Sequence, residues 1–426
     1  MTSRTSIKSR AAVAALAAAC FALCSQARAQ SAETGPIRIG VLATLEGPFA
    51  QAGQDGIRGA ELALEEFKAG IGGRKVELIK ESTNGKPDVA VAKARKLIEL
   101  DKVDVVIGPL SGGEGLAVKE YAKTVPTKTF VNGTSGAQDT TLRDPAPNFF
   151  RFSTDGAQWQ AGLGSYAIDV KGWKRVAVVA EDYSFPYSQV MGFQQEFCAK
   201  GGKITQKNWV PMGTKDYTSV IAKLPQDVDA IYVLLGGSDA VNFFTQYYQS
   251  GGKASIIGGS VTVDQNVLST TGAFRKNLVG AIAAGPTADS NPDPKWVEFS
   301  DRYRKAFPAA FPSPSLFAHG YYVGTKAALT GLQQVNGDTS GNQTNYQKTL
   351  AGLRMETPTG AVTLDENRQA VADIFVTEVA QGSDGKLYNK LVKTAKGVNQ
   401  TLGRPRTEFL ALGAAGRDNP VCKSPS

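Results

Sequence analysis

Short β-branched apolar runs alternate with amphipathic helical segments along most of this chain, and that alternation is what most narrows its fold. Val103, Val105, Val106 and Ile107 form one such run, which breaks at Gly108-Pro109. Ser111, Gly112 and Gly113 then lead into residues 116–122, which read as a helix. A run of this kind suits a strand buried on both faces of a parallel sheet. Comparable strands are expected at 37–42, 75–79 and 127–131, with helices at 56–67 and 88–100. Strand followed by crossover helix is the signature of an α/β sheet.

The pattern restarts after a crossing near 149–153. Strands are expected at 175–180, 203–209, 230–235, 255–257 and 279–284, with helices at 158–170, 188–200, 217–224 and 240–249. Two successive α/β runs mean two lobes. Further helices are expected at 294–306, 316–332 and 346–353, and a strand at 370–380. Periodicity fades from Asn389, so residues 389–426 read as a tail wrapped on the surface.

Residues 1–29 read as a removable signal peptide. Arg4, Lys8 and Arg10 precede an apolar run at 11–24, too short to span a bilayer, and Ala27-Arg28-Ala29 is an A-x-A cleavage site. A mature start near Gln30 and a periplasmic location follow. Cys20 and Cys24 suggest a lipoprotein, but the residues before Cys20 are Ala17-Ala18-Ala19, without the leucine usual before a lipid-modified cysteine. Cleavage removes four of the 47 basic residues and none of the 39 acids, taking the net charge from +8 to +4. With no basic cluster interleaved with aromatics, nucleic-acid binding has no support. Cys198 and Cys422 remain; they either pair in an oxidising compartment or stand as two thiols, and spacing does not decide.

An open parallel sheet binds ligand beyond the carboxyl ends of its strands. Those ends carry Leu110-Ser111-Gly112-Gly113 and Gly133-Thr134-Ser135 in the first run, and Phe185, Gly236, Asp239 and Ser260 in the second. A strand, a glycine-rich turn and a helix start together offer free N–H groups and partial positive charge to an anion. Hydroxyls, amides and aromatics hold a small molecule but perform no obvious reaction. Ser111 and Ser135 also suit plain helix N-caps, and Asp239 suits a cap on its own helix. The one histidine, His319, stands beside Phe317 and Tyr321, where a structural role is the ordinary one.

Enzyme classes fare poorly. No G-x-S-x-G turn is present, no G-x-G-x-x-G fingerprint follows the first strand, and one histidine with two mature cysteines is a poor metal set. No enzyme, cofactor or metal is expected.

Several segments then resemble one family. Ile37-Arg38-Ile39-Gly40-Val41, Glu46-Gly47-Pro48-Phe49-Ala50, Val106-Ile107-Gly108-Pro109, Glu181-Asp182-Tyr183 and Phe317-Ala318-His319-Gly320-Tyr321 resemble the periplasmic branched-chain-amino-acid-binding family, in that order. These are solute receptors of ABC importers. The resemblance implies a two-lobed type I periplasmic binding fold with three hinge crossings. Residues 35–149 with 285–365 would form lobe 1, and 150–284 with 366–388 lobe 2. It also implies that a ligand carboxylate is fixed near Leu110, Ser111 and Gly112 and near Gly133, Thr134 and Ser135. Ser135 matches the family hydroxyl, whereas Gly112 replaces its usual serine. Phe185 matches an aromatic of the second lobe, and Phe317 lies in the matching helix entry. The family's acid for a ligand ammonium is replaced by Ser260, and its aromatic near Gly236 is missing, so either Asp239 substitutes or the ligand lacks an ammonium.

The function expected from this resemblance is capture of a small carboxylate, either an amino acid or an aromatic or other organic acid, for delivery to a membrane permease and its ATPase. The chain would act as a monomer. A periplasmic sensor of the same fold, signalling to a regulator or receptor kinase, is the alternative.

Overall fold

The structure is a computed structural model that describes residues 35–423; the expected signal peptide lies outside them. The strands sort into two sheets. In the first lobe β1 (Ile37–Thr44), β2 (Val76–Thr83), β3 (Val105–Ile107), β4 (Thr129–Val131) and β5 (Phe149–Phe150) pair in the order β2-β1-β3-β4-β5, all parallel. Helices α1 (Ala50–Leu64), α2 (Pro87–Glu99) and α3 (Gly112–Thr124) make the crossovers. Val105, Val106 and Ile107 are fully buried, as a strand covered on both faces must be.

The second lobe contains α4 (Leu163–Asp169), β6 (Arg175–Glu181), α5 (Ser184–Ala199), β7 (Lys203–Val210), α6 (Thr218–Ala222), β8 (Ala230–Leu234), α7 (Gly237–Gln249), β9 (Ser255–Gly258), α8 (Gln265–Leu268), α9 (Arg275–Leu278) and β10 (Ile282–Gly285). Strands β7-β6-β8-β9-β10 run parallel. The chain then returns to the first lobe through α10 (Pro294–Ala306), α11 (Leu316–Gln334) and α12 (Thr344–Ala351). Helix α11 packs along α1, and Gly59 permits the approach: a Cβ there would lie 2.0 Å from the Ala318 carbonyl oxygen. Helix α1 begins six residues before the expected start, because the 3₁₀ turn at Gly47–Phe49 runs straight into it.

Two features of the third passage differ from the sequence reading. The hairpin β11 (Met355–Thr357) and β12 (Gly360–Leu364), expected within lobe 1, pairs with the first residues of β13 (Ala370–Gln381) and so extends the second sheet. The region expected as a tail from Asn389 begins inside β14 (Leu387–Val398), antiparallel to β13. Two register shifts interrupt that ladder, and Lys390, Lys393 and Lys396 face solvent at three-residue spacing. Both effects erase the period-2 alternation by which a strand is read. Beyond β14, α13 (Arg406–Ala411) packs on the body, and Cys422 forms a disulfide with Cys198 of α5.

The first crossing is anchored by Arg151, which is fully buried. Its guanidinium donates to the carbonyls of Ser135 (3.2 Å), Ala137 (2.7 Å) and Gln138 (3.3 Å), to Thr141 Oγ1 (2.6 Å) and to Gln369 of the third crossing. Asp155 Oδ2 lies 3.5 Å away. Burial pulls the guanidinium pKa down to about 10, with Asp155 opposing that shift.

Candidate ligand-binding site

The turn after β3 comes first. Ser111 caps α3: Glu114 N–H donates to Ser111 Oγ (3.3 Å), and Ser111 N–H donates to Glu114 Oε2 (3.0 Å). The Ser111 hydroxyl also donates to the Gly85 carbonyl (3.4 Å). Ser111 thus engages its hydroxyl in a capping box, the cap role that its position before α3 suits. Glu114 is fully buried and also accepts from Gly85 N–H (3.1 Å) and Thr44 Oγ1 (3.1 Å). The start of α3 therefore already serves one carboxylate. Gly112 and Gly113 occupy its first two helical positions, where an N–H has no acceptor within the helix.

The turn after β4 folds against the first. Thr134 N–H and Ser135 N–H both donate to the Pro109 carbonyl (3.2 and 3.3 Å), and Thr134 Oγ1 donates to the Leu110 carbonyl (3.4 Å). Ser135 Oγ is packed on α3: a Cβ on Gly115 would sit 1.8 Å from it. That hydroxyl is buried and has no partner among the described residues. Arg151 holds the carbonyl side of this turn. Gly133 lies under the ring of Tyr321, whose hydroxyl donates to the Leu42 carbonyl (2.7 Å).

The second lobe meets these turns with aromatic rings. Phe185, in the first turn of α5, lays its ring on Gly136 and its Cβ on Gly112; Cβ atoms there would come within 2.6 and 2.7 Å. Trp159 meets it edge-on at 5.5 Å between centroids. Gly236, where the family aromatic is missing, is covered from the opposite lobe by Phe49, whose ring would lie 2.4 Å from a Cβ. Phe49 in turn lies 6.4 Å from Phe317.

The remaining residues are engaged elsewhere. Asp239 is buried and accepts from Gly213 N–H (2.6 Å) in its own lobe, and burial pushes its carboxyl up to about 6. One of its carboxylate oxygens is thus engaged within the second lobe. Ser260 Oγ accepts from Gln189 Nε2 (2.7 Å). His319 Nε2 lies 3.0 Å from Thr359 Oγ1, and burial lowers the imidazole to about 3, so it is neutral. His319 and Thr134 line a recess of about 20 Å³ with Ser153, Thr154 and Trp159, room for about one water. Nearer the surface, Pro48 and Gln51 face Ser238, Asn242 and Asn266 across a cleft of about 320 Å³.

Two acids at the gap were not among the expected site residues, although Glu181 lies in one of the segments that resemble the family. Glu181, at the end of β6, accepts from Gly236 N–H (3.1 Å); burial first, then Asp239, push its carboxyl up to about 8. Asp264 caps α8 and accepts the Leu316 N–H of α11 (2.8 Å), joining the lobes, and burial pushes it up to about 7. An aspartate directly before a helical segment was the available signal. For Ser111, the signal was Glu114 three residues on. Among the described residues, no group of His, Cys, Asp and Glu is arranged to hold a metal ion.

The sequence profile of a family described as periplasmic binding protein matches residues 36–386. The Leu/Ile/Val-binding protein homolog 6 of Brucella melitensis is 25% identical over 390 residues, covering 90% of this chain and 96% of that protein. A substrate-binding protein of an ABC transporter from Sphaerobacter thermophilus is 28% identical with a TM-score of 0.76, covering 86% of this chain and 99% of the other. A solute-binding protein from Rhodopseudomonas palustris, solved with 3,4-dihydroxybenzoic acid, is 24% identical with a TM-score of 0.77 over 86% and 98% of the two chains.

Proposed function

The chain belongs to the periplasmic binding protein family, whose fold is that of substrate-binding proteins and not of enzymes, and from that premise we propose that it is the solute receptor of an ABC importer for a small aromatic carboxylate. Ligand enters between open lobes, binds the first-lobe turns, and is buried as the second lobe closes by hinge bending. A permease and ATPase in the inner membrane then take it from the closed form. Removal of residues 1–29 places the mature chain in the periplasm.

The observation that carries this reading is the position of Phe185. It brings an aromatic ring from one lobe onto Gly112 and Gly136 at the turns of the other. The ligand carboxylate shares the start of α3 with Glu114, so it is confined to the N–H groups of Gly112 and Gly113. Its apolar part lies among Phe49, Phe185, Trp159 and Phe317. Ligand favours closure only through its greater affinity for the closed arrangement.

An amino acid is the second reading, favoured by the name of the Brucella relatives. It fits less well because an ammonium needs an anionic partner when buried. Asp239 and Asp264 are committed to Gly213 and Leu316, and Ser260 stands where the family places its acid.

A thermal-shift screen of the mature protein tests the reading. Benzoate, 4-hydroxybenzoate, leucine, benzamide and urea are the probes. A carboxylate at 100 times its Kd adds about 2.7 kcal/mol of stability. Benzoates are expected to raise the melting temperature most. A response to benzamide or urea alone contradicts the proposal. Loss of benzoate uptake on deleting the gene tests the importer role.

A further inference from the structure

Residues 399–423 lie beyond the part of the chain that the family profile matches, and they touch both lobes. They begin at the hinge. Gln400 is buried and donates from Nε2 to the Gln138 carbonyl (3.2 Å), Thr141 Oγ1 (3.0 Å) and Asp155 Oδ2 (3.0 Å), while its own carbonyl accepts from Gln138 Nε2 (3.1 Å). It therefore shares Thr141 and Asp155 with Arg151.

The segment next lies on lobe 1. Arg406 Nη2 donates to the Leu142 carbonyl (3.0 Å), and Arg143 Nη2 donates to the carbonyls of Leu410 (3.3 Å) and Gly413 (2.7 Å). Phe409 is fully buried in one apolar cluster with Leu142 of lobe 1 and Met191 of lobe 2. Its ring is thus wedged at a seam between the lobes. The segment then passes to lobe 2. Arg417 Nε donates to Asp182 Oδ1 (2.7 Å), the Pro420 carbonyl accepts from Gln194 Nε2 (2.5 Å), and Cys422 is bonded to Cys198.

We infer that residues 399–423 are an interlobe strap that limits how far the lobes open, with the Cys198–Cys422 disulfide as its far anchor. The argument is one of reach. Gly413 is held on lobe 1, and Cys422 is covalently held on lobe 2 nine residues later. Slack in that stretch is taken up by a turn in which Asn419 Nδ2 donates to the carbonyls of Leu412 (2.8 Å) and Ala414 (2.7 Å) and Gly416 N–H donates to the Asn419 carbonyl (3.0 Å). Opening must undo this turn or withdraw Phe409 from between Leu142 and Met191. Arg417 and Asp182 form a pair whose arginine is exposed, which resists little by itself. The covalent anchor is what bears load.

Small-angle X-ray scattering of the full mature chain without ligand tests the strap. Two variants are compared with wild type: C198S/C422S, which frees the far anchor, and Phe409→Ala, which empties the seam. Each is first shown to unfold in one cooperative transition. Both are expected to have a larger radius of gyration and maximum dimension than wild type. A scattering curve for C198S/C422S that superimposes on wild type overturns the inference. Should Phe409→Ala alone expand the molecule, the disulfide is not the anchor and the inference also fails.

Discussion

Asp264 of the second lobe accepts the backbone N–H of Leu316, the first residue of the first-lobe helix α11, at 2.8 Å. Asp55 of the first lobe accepts the neighbouring Ser315 N–H (3.2 Å), so one helix start is shared by an acid from each lobe. Asp264→Ala leaves the Leu316 N–H buried without an acceptor, at a cost of roughly 1–3 kcal/mol. Asp264→Asn keeps an acceptor and is expected to cost less. Urea denaturation of both variants measures the difference, and equal midpoints would remove the bond from the account.

The buried acids set a pH dependence. Glu181 is raised from 4.5 to about 8 and Asp264 from 3.8 to about 7, both chiefly by burial. A raised acid binds its proton more tightly in the folded state. Its contribution is complete below the unfolded pKa and is lost as pH rises through the folded value. Stability should therefore fall as pH rises. His319, lowered by burial from 6.5 to about 3, acts oppositely up to about pH 6.5, so the fall should be clearest between about pH 6.5 and pH 8. Glu66, Glu81 and Asp182 are lowered by their partners and act oppositely, losing their contribution only at more acidic pH. Melting temperatures across that range check the slope, and Glu181→Gln should flatten it.

Arg151 is a buried charge whose hydrogen bonds hold the carbonyls of the second turn. Arg151→Ala leaves Asp155 uncompensated and should cost about 3–5 kcal/mol. Adding Asp155→Ala should cost less than the sum of the two single changes, since neither charge is then orphaned. A double-mutant cycle in urea reads this coupling; strict additivity would mean that the pair does not act as a unit.

Gly112→Ala probes the contact between Phe185 and the turn after β3. Alanine is the better helix former, so α3 itself gains slightly. The added Cβ meets the Cβ of Phe185 at 2.7 Å and holds the lobes apart. It also comes within 3.1 Å of the Ala137 Cβ and 3.2 Å of the Ala137 N in its own lobe, so the variant should melt somewhat lower than wild type and bind benzoate at least tenfold more weakly, about 1.4 kcal/mol. Unchanged affinity would show that Phe185 does not close on this turn.

Much of the fold was legible because parallel strands buried on both faces leave unbroken apolar runs, as at Val105, Val106 and Ile107. Strand β14 was not legible, because its exposed lysines and two register shifts hide the alternation. At the site, the two turns and Phe185 could be located from strand ends alone. Which way a hydroxyl points could not. Ser111 turns to its own helix, and Ser135 packs on Gly115 of the preceding crossover helix. Phe49 covers Gly236 from the other lobe, a contact that no local pattern records.

The most direct measurement is calorimetric titration of the mature protein with benzoate and with benzamide, which share a ring and differ in charge. The account predicts one site for benzoate and none for benzamide. Equal binding of the two, or binding of benzamide alone, would contradict a carboxylate held on the amides where β3 gives way to α3.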